Sequence, residues 1–161
     1  MGLDMYLNKK TYIGANFEHR KVKGKVEITI GEKRQKVNIK FNRLSEISEH
    51  VGYWRKANAI HAWFVREVQN GVDECQEANV PLKKLEELLA ICVKIVKNKS
   101  AKVADKLLPP QSGFFFGNTA IDDWYYNDLK NTIKILRPLI KEIKAEQKLG
   151  TYPEVFYQSS W

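Results

Sequence analysis

Cysteine and histidine are scarce in this sequence, which has two cysteines and three histidines among 161 residues. Cys75 and Cys92 do not have the spacing of a zinc motif, and no paired histidines accompany them. No Ser-His-Asp or Cys-His signature of nucleophilic catalysis is present either. We therefore expect no metal site, no cofactor, no assignable catalytic residue and two reduced thiols.

Long apolar runs are also missing. No stretch approaches the roughly 18 apolar residues that a membrane span requires, and residues 1–6 lack the basic segment and apolar core of a signal peptide. The phosphate-binding signatures GxGxxG and GxxxxGK[ST] are absent as well. These absences predict a cytoplasmic protein without a membrane partner.

The chain is strongly basic, with a formal net charge of +8 and a pI of about 9.4. Such a balance attracts nucleic acids, nucleotides and phosphates. The lysines are spread along the chain, however, and a general lysine coat also favours solubility. The hydrophobic fraction of 43% and the length are typical of one domain, which we expect to span residues 1–161.

Residues 52–70 have the periodicity of a helix with two neighbouring faces. One face is apolar and contains Ala57, Ile60, Phe64 and Val68. The other is aromatic and polar and contains Trp54, Asn58, His61 and Val65, with Arg55 and Arg66 beside it. Two interpretations remain open: a core helix whose polar groups bond within the protein, or one wall of a ligand pocket. An amide or imidazole buried without partners would cost roughly 1–3 kcal/mol, so partners are required in either case.

Alternation predicts strands in the N-terminal part. Residues 1–8 alternate as a half-buried strand, and residues 26–30 and 37–41 alternate around a turn at 31–35 as a hairpin. Lysines and arginines crowd this hairpin, among them Lys33, Arg34 and Lys36. A basic ribbon can enter a nucleic-acid groove, and it can equally be the solvated face of a sheet.

Helical periodicity returns at residues 81–99, 101–108 and 120–147, with Pro138 expected to kink or divide the last helix. Asn118 or Thr119 is expected to cap that helix, and Trp124, Tyr125, Tyr126 and Asp128 form an aromatic-polar cluster near its start. The aromatic tail, 151–161, should dock as a strand beside residues 1–8 or against the phenylalanines at 114–116. The predicted fold class is α+β, a small antiparallel sheet with about three long helices on one face.

Three phenylalanines lie between two glycines in residues 111–117, QSGFFFG. This stretch predicts either a hydrophobic plug of the core or a loop whose glycines admit a ligand while the rings stack on it. In the second interpretation Gln111, Ser112, Phe114 and Phe116 join the candidate pocket.

Four stretches resemble a family of small proteins from bacteriophages and prophages. They are residues 1–7 (MGLDMYL), 51–61 (VGYWRKANAIH), 111–117 (QSGFFFG) and 157–161 (YQSSW). The resemblance implies a protein that works in the cytosol of an infected bacterium. Small phage proteins often counter host defences, sometimes by sequestering nucleotide signals, so the resemblance also implies an anti-defence role.

Three classes of function follow. The first is a homo-oligomer that binds a nucleotide-like small molecule, in which Trp54 and the phenylalanines stack on a base, Arg55 pairs with phosphate, and Asn58 and Gln111 bind polar edges. The second is a nucleic-acid-binding protein that uses the basic hairpin. The third is an enzyme with His61 as base and Asp122, Asp123 or Asp128 as acid, for which the sequence offers the least material.

Overall fold

A computed structural model of the protein describes residues 2–14, 26–31, 35–113 and 116–161. Its main sheet is antiparallel and four-stranded, in the order β4-β1-β6-β5. The strands are β1 (Asp4–Tyr12), β4 (Glu46–Arg55), β5 (Ala78–Asn79) and β6 (Glu154–Ser160). With the helices that pack on this sheet, the architecture is α+β, as the sequence predicted.

Strand β1 lies inside the sheet and is bonded on both sides. Its alternation is as predicted, since Leu3, Met5 and Leu7 are fully buried. The tail forms β6 and pairs with β1 so that Leu7 lies opposite Tyr157. The prediction that the aromatic tail docks beside the first strand is therefore confirmed.

The prediction of a helix over residues 52–70 is wrong in its first part, which belongs to strand β4. Residues up to Arg55 are extended and pair with β1, with Trp54 opposite Met5. Lys56 has a left-handed backbone with a φ of 58°, and helix α1 then covers only Asn58–Glu67. Aromatic and β-branched residues favour a strand wherever a partner strand is available, and β1 supplies that partner.

The other helices are α2 (Leu82–Asn98), α3 (Ala101–Leu107) and α4 (Asp123–Lys148). Among the described residues there are thus two long helices and two short ones, rather than about three long ones. Helix α4 continues past Pro138 without division, and its cap is Asp122, whose side chain accepts from the Tyr125 N–H, not Asn118 or Thr119. None of the described helices combines the length and apolar character needed to cross a membrane.

The basic hairpin forms a separate two-stranded sheet of β2 (Ile28–Ile30) and β3 (Gln35–Val37). A short 3-10 helix, Phe41–Arg43, follows it. Ile28 and Val37, two apolar residues of the alternating pattern, are both exposed. The hydrophobic core is formed instead by the main sheet and the helices, from residues such as Trp54, Phe64, Leu88 and Leu136.

A buried lysine ties the sheet to the last helix. Lys9 is 3% exposed, and its ammonium contacts Glu49 of β4 at 3.0 Å and Glu146 of α4 at 2.9 Å, and also bonds Glu142. Burial by itself lowers the pKa of Lys9, but the hydrogen bonds to the three glutamates outweigh it and raise the pKa well above its usual value. Lys9 is therefore charged in the folded protein.

Replacing Lys9 by methionine should destabilise the protein, because it leaves three carboxylates close together without their shared cation. We expect a loss of about 2–3 kcal/mol in the free energy of unfolding, measured by urea denaturation. The neighbouring Lys10→Met removes a more exposed pair with Glu77 and should cost less than about 1 kcal/mol. Equal stabilities of the two variants would contradict this role of Lys9.

Candidate functional site

Trp54 and His61, two residues of the predicted pocket, are buried and bonded within the protein. The indole N–H of Trp54 donates to Thr132 Oγ1 at 2.9 Å. His61 Nδ1 lies 2.7 Å from the Tyr157 hydroxyl, and Nε2 lies 2.9 Å from Asp73 Oδ2. The His61 side chain is fully buried. The Trp54 bond therefore links β4 to α4, and the His61 bonds link α1 to β6 and to the loop that contains Asp73. Neither side chain lines the cavity described below.

Asn58 holds the loop that follows α3. Its amide nitrogen donates to the carbonyl of Phe116 at 3.2 Å and that of Asn118 at 2.8 Å, and its oxygen accepts from the Gln111 N–H at 3.2 Å. The stretches 52–70 and 111–117, which the sequence predicted to form one pocket, are thus in direct contact. Gln111 and Ser112 themselves are exposed, Phe116 is buried, and Phe114 lies outside the described residues.

A cavity of about 320 Å³ lies between the start of α1 and the start of α4. Of the predicted site residues that the structure describes, Arg55 and Asn58 line it. The described residues of the lining are Arg55, Lys56, Ala57, Asn58, Ala59, Ile60, Gly117, Asn118, Ala120, Asp122, Trp124, Tyr125, Asp128 and Leu129. Its size lies at the lower end of the range of small-molecule sites, about 300–1,000 Å³.

The cavity wall at α1 favours an anion. The residue that caps α1 is Ala57, which has no side-chain acceptor. Within the described part of the chain, the first-turn N–H groups of Ala59 and Ile60 therefore have no capping partner, and both residues line the cavity. Arg55 and Lys56 immediately precede this turn. Free N–H groups, the helix dipole and two cationic side chains together attract a phosphate or carboxylate.

The opposite wall comes from α4 and is aromatic and acidic. Trp124 is 78% exposed, an unusual state for an indole and one suited to stacking on a planar ligand. Tyr125 is buried, and its hydroxyl donates to the Leu108 carbonyl at 2.8 Å. The Asp122 carboxylate accepts hydrogen bonds from the Tyr125 N–H and from the Asn118 side-chain amide. The cluster at 124–128 is visible in the sequence, but its position beside Arg55 is not, because only tertiary packing brings the two helix starts together.

Asp128 is the carboxyl group of this wall whose pKa is raised. Burial, and secondly the negative charge of Asp122, raises the pKa of the Asp128 carboxyl to about 6. The carboxyl is therefore protonated in a substantial fraction of molecules slightly below neutral pH, when it can donate a hydrogen bond. Above that pH it adds a negative charge to the cavity.

The residues of the nucleic-acid alternative lie elsewhere. Lys36 is exposed on β3, while Lys33 and Arg34 fall outside the described residues.

Among the residues that the structure describes, no group of three histidine, cysteine, aspartate or glutamate side chains could hold a metal ion.

Comparison of the chain with protein-family models, with curated proteins and with solved structures gives no match. The site is accordingly defined by its own geometry, as a cavity with a cationic helix start on one side and an exposed tryptophan with two carboxyl groups on the other.

Replacing Asp128 by asparagine should stabilise the protein at neutral pH. The pKa of about 6 in the folded state exceeds the ordinary value of about 3.9, so the folded protein loses stability as the pH rises through this interval. We expect Asp128→Asn to gain about 1–2 kcal/mol at pH 7, after allowance for its partial exposure, and nothing near pH 4. Urea denaturation at several pH values tests this, with the exposed Asp105→Asn as control. A gain that is constant with pH would show that burial does not raise the Asp128 pKa.

Proposed function

We propose that the protein binds a nucleotide-like small molecule in the cavity between α1 and α4. In this proposal the phosphate lies at the start of α1, between Arg55 and Lys56, and the base stacks on Trp124. The observation that carries the proposal is the uncapped start of α1 opening into the cavity directly after two cationic residues. A helix end without a capping side chain leaves donors that a bound anion can satisfy.

The acidic side of the cavity favours a ligand that also has donor groups. A base amino group or ribose hydroxyls can donate to Asp122 or Asp128, which a simple inorganic anion cannot do. Protonation of Asp128 reduces the repulsion of a phosphate, so binding should strengthen as the pH falls through about 6.

Binding is better supported than catalysis. His61, the candidate base of the enzyme alternative, is fully buried and bonded to Tyr157 and Asp73. Asp128 has a raised pKa, but no described residue of the cavity forms a nucleophile–base pair with it. A protein that binds a nucleotide without converting it withholds it from other proteins. With the resemblance to phage proteins, this supports the proposal of a sponge for a nucleotide-derived immune signal in the cytosol of the host bacterium.

The binding proposal is tested with purified protein and a panel of mononucleotides, cyclic dinucleotides and ADP-ribose derivatives. We expect one class to raise the melting temperature, and calorimetry to show affinity at least about tenfold weaker for Arg55→Ala and Trp124→Ala, the loss expected when a charged or stacked contact is removed. Arg137→Ala and Tyr152→Ala are the matched controls, since both residues are exposed and neither lines the cavity.

Two results would contradict the proposal. One is a melting temperature unchanged by every compound, together with no ultraviolet-absorbing small molecule in the mass spectrum of the purified protein. The other is a ligand whose affinity changes equally in the cavity variants and in their controls.

Nucleic-acid binding is a second proposal, supported by the separate hairpin. Ile28 and Val37 are exposed outside the core, so the ribbon of β2 and β3 presents apolar and basic residues to a partner. A two-stranded ribbon fits the major groove of DNA.

If the hairpin binds DNA, neutralising Lys33, Arg34 and Lys36 together should lower affinity and flatten its salt dependence. Each lost phosphate contact reduces the slope by roughly one. Electrophoretic mobility of duplex DNA at several salt concentrations measures this, with Lys94, Lys97 and Lys102 changed together as the control of equal charge. Equal losses in the two variants would indicate only a general charge effect.

A further inference from the structure

Strand β4 is an unusually long edge strand. It has ten residues, it ends the sheet, and within the described part of the chain it pairs with β1 alone. The opposite edge is β5, a strand of two residues. Short edge strands protect a sheet from further pairing, whereas a long one presents a row of backbone groups to another strand.

The ladder with β1 defines which β4 residues face outward. Ile13 N donates to Ser45 O at 2.9 Å, and Lys56 N donates to Leu3 O at 2.8 Å. From these two pairs inward, every second residue of β4 directs its backbone groups towards β1, and the residues between them direct theirs away. The alternation is interrupted by a bulge between His50 and Gly52, where the register with β1 shifts. The backbone groups of Glu46, Ser48 and His50 before the bulge, and of Tyr53 and Arg55 after it, therefore point away from β1. The 3.4 Å bond from the Asn131 amide to the Tyr53 carbonyl agrees with this direction.

We propose that two copies of the chain associate through their β4 strands, paired antiparallel about a two-fold axis. This pairing places Glu46 of one copy opposite Arg55 of the other, and Ser48 opposite Tyr53. In both pairs, the backbone N–H and C=O groups that point away from β1 lie opposite each other and can form hydrogen bonds. Glu46 and Arg55 carry opposite charges and lie on the same face of the sheet, and the symmetry forms this ion pair twice. The partner of β4 is a second copy of the chain, because two antiparallel β4 strands bring opposite charges together.

The bulge in β4 does not prevent the pairing. It lies where the register with β1 shifts, between the pairs Leu7–Gly52 and Asn8–His50. In the symmetric arrangement His50 of one copy lies beside Val51 of the other. The bulges of the two strands therefore lie opposite each other, and neither strand has an unpaired extra residue relative to the other. The register is therefore preserved on both sides of the axis, and two four-stranded sheets become one.

The association should be weak, because one pair of strands buries less than the roughly 1,600 Å² of a standard interface. We expect a monomer–dimer equilibrium with a dissociation constant on the order of micromolar. This proposal concerns the assembly of the protein. Its ion pair uses Arg55, which also lines the cavity, so the first test is made at Ser48, which does not line it.

The first test is Ser48→Pro, with Ser48→Ala as its control, followed by sedimentation equilibrium over a range of concentrations. Proline removes the outward-facing N–H, which β1 does not use, and it is tolerated at such edge positions. We expect the proline variant to remain monomeric and the alanine variant to dimerise like the wild type. A monomeric wild type at several hundred micromolar, or equal dimerisation of Ser48→Pro, would overturn the proposal.

A charge exchange tests the register. Glu46→Arg alone places like charges together twice and should weaken the dimer by about tenfold. Glu46→Arg combined with Arg55→Glu restores two opposite pairs and should recover most of that loss. If the double variant is weaker than Glu46→Arg, the strands do not pair in this register. Circular dichroism of each variant confirms that a weakened dimer is still folded.

Discussion

The left-handed backbone of Lys56 is the constraint on which the rest of the structure depends. Its N–H remains bonded to Leu3 of β1, and its φ of 58° ends the strand and turns the chain into α1. A non-glycine residue adopts this conformation at a cost, so the surrounding contacts must hold it. As a result Arg55 and Lys56 lie beside the open start of α1. A continuous helix through this region would have no helix end and no anion-binding wall.

Buried polar residues maintain this arrangement. Asn58, in the first turn of α1, uses both ends of its amide to bond the backbone of Gln111, Phe116 and Asn118. One turn later His61 bonds Asp73 and Tyr157, and Trp161 donates to the same carboxylate at 3.1 Å. Each group has its partners, so these polar residues are not left as costly unsatisfied groups in the core. They fix the position of α1 against the loop and the last strand, and thereby the shape of the cavity between the two helix starts.

The distribution of charge connects architecture with binding. The positive charge of Lys9 is compensated by the three glutamates that surround it, so this cation stabilises the fold and is not available to a ligand. Arg55 remains largely exposed, with Asp4 as far as 4.0 Å from its guanidinium. Charge that is free to meet a ligand is thus separated from charge used in folding. The net charge of +8 does not distinguish these two uses, whereas the burial and the ion-pair partners of each side chain do.

Local pattern was sufficient for much of the fold. The alternation around Leu3, Met5 and Leu7, the proline before α2 and the aromatic tail each predicted an element correctly, because each depends on short-range periodicity and on the need to bury apolar side chains. The sequence by itself thus determined an α+β chain with a docked C-terminal strand. Tertiary structure alone decided that residues 52–55 are extended, since both conformations suit these residues locally and only pairing with β1 distinguishes them. It also decided which polar residues line the cavity, because Arg55 and Trp124 are 69 positions apart in the chain and line the same cavity only when α4 packs beside the start of α1.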